Sequence, residues 1–253
     1  MTATPAAVPG SAFLRVPVGL PRLADRIVIG ATVLAWIVLL WDDRLSGGAA
    51  DSVIRVTFGT AAMMLPLALP ATRHVIASTF RSSRALSVTA FLAAFVGVWV
   101  TVGLAATIVF GLLERTGFTP PNVLVGALLI AAGWQALPWK RVSLRDCHLT
   151  VPLAPRGWRS SFGCLKFGGI VAARCVASCC GLMLPMFVAG SGHLFFGLLA
   201  MAGAVGERRL LVLRRESWLL SGVALGLAVL TTTSGADPGS ALVGWFCAIP
   251  QRP

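Results

Sequence analysis

The sequence predicts an all-α fold, a polytopic transmembrane helix bundle of about seven spans, and three observations predict it. Apolar runs of helical length recur along the 253 residues, separated by short segments that carry most of the charge. The chain is 57% hydrophobic and only 12% charged, with a mean hydropathy of +0.84, whereas soluble domains carry about 25% charged residues. Basic residues collect on alternate connections: sixteen of the 21 lysines and arginines fall on one side of a seven-span path, the bias that orients membrane proteins. The N-terminus is therefore expected in the cytoplasm and the C-terminus outside, with the chain in a bacterial inner membrane and the lipid bilayer as its first partner.

Residues 1–21 read as a flexible, Pro- and Ala-rich tail, and 22–233 as a single transmembrane helical domain. The first span, 27–41, follows Arg22 and Arg26 and is expected to stay uncleaved, because the segment before it is too long for a signal-peptide n-region. The second, 56–72, contains Met63, Met64, Pro66 and Pro70. Each proline removes a backbone donor and is expected to kink the helix. The third, 85–110, is long enough to cross with tilt. The fourth, 123–137, follows Pro120-Pro121, a favourable helix start. Residues 140–166 form the one sizeable polar loop, with Cys147 and His148. The fifth span, 167–189, is followed across a Gly-Ser-Gly turn by the sixth, 193–206, and the seventh, 218–231, in which Gly222 and Gly226 are expected to pack against a neighbour. The last apolar run, 241–249, is too short to span, and 234–253 is a tail.

The fifth span holds an unusual set of side chains: Arg174, Cys175, Cys179, Cys180, Met183 and Met186. At about 100° per residue, Cys175, Cys179, Met183 and Met186 share one stripe, while Cys180 stands roughly 140° away. Thiolates and thioethers are soft ligands that select Cu(I) over hard cations. Zinc is less well matched, since it takes four tetrahedral ligands, commonly with histidine. Cysteine and methionine are also ordinary packing residues in apolar interfaces, so a packing role competes with a metal role. If the second and fifth spans are neighbours, Met63 and Met64 meet the cysteines near mid-membrane.

Several segments together are similar to a known group. They are Ala62-Met63-Met64-Leu65-Pro66 with Pro70; Gly133-Trp134-Gln135-Ala136-Leu137-Pro138-Trp139-Lys140; Leu144-Arg145-Asp146-Cys147; Cys179-Cys180-Gly181-Leu182-Met183; and Glu207-Arg208. The chain resembles the bacterial family of predicted metal-binding integral membrane proteins, a domain of unknown function, over roughly 55–209. The resemblance implies Cys175, Cys179, Cys180, Met183, Met63 and Met64 as metal ligands, with Met186 and His193 as second-rank candidates. Two departures stand out. Three residues separate Cys175 from Cys179 where the family tends to have two, and the loop has Ser143 and Cys147 in place of a cysteine pair.

The function expected from the sequence is soft-metal binding, with copper as the cargo, in metal handling, delivery or metalloenzyme assembly. A metalloenzyme or another membrane subunit is the expected partner. The competing readings are a non-catalytic accessory or scaffold subunit whose Cys and Met only pack, and a membrane thiol-redox protein. No catalytic residue is expected, because no general-base pairing, phosphate-binding glycine loop or carboxylate pair is present. Nucleic-acid binding is excluded by the absence of a basic, aromatic-interleaved polar domain.

Overall fold

The computed structural model of the protein describes residues 19–42, 49–146, 151–155, 157–189, 193–209 and 216–234. Among them are eight helices and no strand: α1 Gly19–Asp42, α2 Ala49–Ser78, α3 Arg84–Arg115, α4 Pro120–Ala136, α5 Pro138–Asp146, α6 Gly157–Val188, α7 His193–Arg209 and α8 Glu216–Ser234. The tails beyond 234 and before 19, the 190–192 turn, Cys147 and His148 lie outside the described residues.

Four of these helices, α1, α2, α3 and α6, are long and apolar enough to cross a membrane, or up to five if α4 and α5 form one broken span. Seven such helices are not reached. The apolar part of α7 is 193–207 and that of α8 is 220–231. At about 1.5 Å per residue, neither covers the roughly 30 Å of a bilayer's hydrocarbon core.

The polar loop expected over 140–166 is mostly helical. Residues 138–146 form α5, and α6 starts at Gly157, well before Phe167. The first turns of α6 carry charge, which hides them from a hydropathy reading, but they bury Ser160 and Cys164 against α3. Ser87 Oγ and Ser160 Oγ sit 3.0 Å apart there, and Phe91 stacks at 5.6 Å on Phe167. Helix α2 continues through Pro66 and Pro70 as a single element.

Proline decides the boundaries of α4. Thr119 is extended and Pro120-Pro121 occupy the first helical positions, where a missing N–H costs nothing. At the other end Leu137 is extended, as a residue before proline must be to avoid the Pro138 ring. The chain therefore turns by 69° into α5 instead of continuing straight.

One core runs through the bundle, with α1 along α2, α3 along α6, and α4 along both α6 and α8. It includes Met63, Met64, Phe91, Phe95, Trp99, Cys175, Cys179, Met183 and Phe196. The packing expected of Gly222 and Gly226 is not found: both face open space. Helix α8 instead meets α4 through Ala224, Ala131 and Ala132, where Ser221 Oγ donates to the Ala132 carbonyl at 3.1 Å.

Candidate copper site

The stripe predicted on the fifth span is present on α6. Cys175, Cys179 and Met183 are fully buried and Met186 nearly so, while Cys180 is half-buried. The helical period causes this split: four residues are about one turn, so Cys175, Cys179 and Met183 all face the core, and Cys180 turns off it. Ser178 Oγ donates to the Cys175 carbonyl at 2.9 Å and lies 3.3 Å from Cys179 Sγ. Cys164, Cys175, Cys179 and Cys180 are free thiols.

The methionines of α2 reach this region through α7. Met63 and Met64 are both fully buried. Met63 Sδ and Met186 Sδ lie 3.3 and 3.0 Å from one point, the position a β-carbon on Gly197 would take. The Met63 methyl is closer still, at 2.5 Å. Glycine at 197 is thus what leaves room for two thioethers, one from α2 and one from α6. His193 is half-buried and stands one turn before Gly197 on α7. Met186, the second-rank candidate, is the residue of α6 that meets Met63.

Two further contacts fix the level at which α4 and α7 end. Gly203 faces Leu182, so α7 runs antiparallel to α6 and its C-terminal turn reaches the level of Cys179. Gly181 faces Trp134, whose Cβ and Cγ would lie 2.5 Å from an added β-carbon. The α4–α5 corner is therefore seated on the same part of α6, with Trp134 and Trp139 packed edge to face at 4.7 Å. At that corner Lys140 Nζ and Glu207 Oε1 form an ion pair at 2.5 Å, with side chains only 2% and 5% exposed. The Lys140 ammonium is also within electrostatic reach of the Cys179 thiol. Gln135, one turn earlier, is buried with no hydrogen-bond partner for either amide atom among the described residues.

Other groups are not brought together. Among the described residues no three His, Cys, Asp or Glu side chains converge as a metal site. This removes a site built on Cys175, Cys179 and Cys180 alone, for the helical reason given above. It also disfavours zinc, which needs four such donors. Cys164 sits at the α3 contact, hydrogen-bonded by Ser87 and Ser160. His74 bonds the Val151 carbonyl at 3.0 Å and edges onto Phe167, tying α2 to the segment before α6. What converges is a set of sulfur donors of two kinds, buried among apolar side chains, a chemistry suited to a soft monovalent cation.

Sequence reasoning missed Lys140, Glu207, Gln135 and Gly197. Lys140 and Glu207 each end a short apolar helix, and charges there read as interfacial anchors. No curated protein and no solved structure matches the chain. A family model does: residues 57–233, which include Met63, Met64, Lys140, the whole of α6 and Glu207, match the one described as PpoB2, copper chaperone. The chain belongs to this copper chaperone family.

Proposed function

We propose that the protein is a membrane-embedded copper chaperone that holds Cu(I) between α2, α6 and α7 and passes it to a partner metalloenzyme. One observation carries this reading: Met63 and Met186 place their sulfurs around the space left by Gly197, on the same α6 face as Cys175, Cys179 and Met183. Met64 and Cys180 flank this set, Met64 inside the core and Cys180 at its edge. The long apolar helices support a bilayer location, with the N-terminus cytoplasmic by the distribution of basic residues. Thiols and thioethers favour Cu(I), whose affinity for them lets it exchange between sulfur sites without a change of oxidation state.

The test is metal analysis of protein purified in detergent under reducing conditions, beside Cys175→Ser, Cys179→Ser and Met63→Leu. Near-stoichiometric Cu(I) in the wild type, with weakened or abolished binding in the variants, is the expected result. Wild-type protein that takes up no Cu(I) would overturn it.

A second reading has its own support. The candidate ligands belong to one continuous apolar core, and no three His, Cys, Asp or Glu converge among the described residues, as expected of a scaffold subunit whose Cys and Met only pack. Full copper delivery by a variant with Cys175, Cys179 and Cys180 all changed to Ala would establish it.

A further inference from the structure

A buried ion pair in an apolar bundle is an expensive feature. Replacing such a pair by apolar residues of similar volume is often neutral or stabilising, so stability does not explain Lys140 and Glu207. Their position supplies a different reason. The Leu137-Pro138 corner turns the chain and sets Lys140 against α6, and the antiparallel run of α7 brings Glu207 to the same level. The pair is therefore buried beside Cys179, one helical turn from Cys175 and Met183.

Copper binding at this place changes the charge. When Cu(I), a monovalent cation, binds two thiols, two Cu–S bonds form and two S–H bonds break. The two protons leave to solvent, and the neutral dithiol becomes a dithiolate complex of charge −1. An isolated charge in an apolar interior is strongly disfavoured, and a nearby fixed cation offsets it. Lys140 is placed to be that cation.

We propose that Lys140 is a positioning residue of the copper site: its ammonium, held in place by Glu207, is the counter-charge that lets Cys175 and Cys179 bind Cu(I) as a buried anionic dithiolate. This rests on the copper reading above. The site thereby discriminates by charge as well as softness. A monovalent ion on two thiolates leaves −1 for Lys140 to balance, whereas a divalent ion leaves a neutral complex that gains nothing from it.

The experiment measures Cu(I) affinity of the full chain in detergent by competition with a chromophoric Cu(I) chelator. The variants are Lys140→Met with Glu207→Leu, Lys140→Gln with Glu207→Gln, and Lys140→Arg. The two neutral pairs are chosen because they leave no charge buried alone, and the glutamine pair retains the hydrogen bond. Arg73→Gln, which removes a cation from the exposed pair with Asp25, serves as the control. Both neutral pairs are expected to weaken Cu(I) binding on the order of tenfold or more, with Lys140→Arg near wild type and Arg73→Gln unchanged. The loss should vanish when measured in a Cys175→Ser, Cys179→Ser background, because no anion then forms; a merely structural role would persist there. Wild-type affinity in either folded neutral pair would overturn the proposal while leaving the copper site standing. Failure of the wild type itself to bind Cu(I) would overturn the copper reading beneath it.

Discussion

Met63 on α2 and Met186 on α6, far apart in sequence, bring their sulfurs to 3.3 and 3.0 Å from a single point beside Gly197 on α7. Three helices thus share one small space, and the residue that defines it has no side chain. Two thioethers facing one gap could be packing or a soft-metal clamp, and variants of these three residues separate the two.

Gly197→Ala puts a methyl group into this gap. The Met63 terminus is flexible and can swing away, so folding stability should fall by under about 1 kcal/mol. Cu(I) affinity should nonetheless drop by about tenfold, since both sulfurs are pushed from their shared point. Chelator competition and a thermal melt on the same sample check the two halves.

Met63→Leu and Met186→Leu conserve volume and should each cost less than about 1.5 kcal/mol of stability. Each should still lower copper loading, and the double variant more than either. Unaltered loading in the double variant would assign both residues to packing.

Gly181→Ala is a different case. The group in the way is the Cβ and Cγ of Trp134, which cannot rotate aside without moving α4. Overpacking of this kind costs about 1–3 kcal/mol. A lowered unfolding midpoint in detergent is expected, and with it a disturbed Trp134–Trp139 contact readable in tryptophan fluorescence.

Lys140→Met alone leaves Glu207 buried without its cation, which should destabilise the fold by about 3–5 kcal/mol. Adding Glu207→Leu should restore most of that loss, because both charges are then gone. Thermal or denaturant unfolding of the two variants side by side measures the difference.

Gln135→Leu removes an amide that is 2% exposed and has no hydrogen-bond partner among the described residues. A buried unsatisfied polar group costs about 1–3 kcal/mol, so the leucine variant should be at least as stable as wild type. A clear loss of stability would mean that the amide is satisfied by water.

The sequence by itself determined that this is a helical chain with long apolar segments, because composition and the spacing of charges are local properties. It also determined the stripe of Cys175, Cys179, Met183 and Met186 and the exclusion of Cys180, because the 3.6-residue period alone assigns faces of a helix. The prolines marked the start of α4 and its end before Pro138 for an equally local reason, the steric demand of one ring on its neighbour.

Tertiary structure decided the rest. Whether α7 and α8 are spans depends on how far each apolar helix extends, and both fall short of a bilayer. The first turns of α6 were hidden because their charges lower the hydropathy, while burial of Ser160 and Cys164 against α3 makes them part of the helix. The meeting of Met63 with Met186 required α7 to supply a glycine between them. The Lys140–Glu207 pair, 67 residues apart, exists only because a proline corner and an antiparallel helix end at the same level. Each of these is a contact between segments distant in sequence, and such contacts are set by the packing of whole helices rather than by the residues around any one of them.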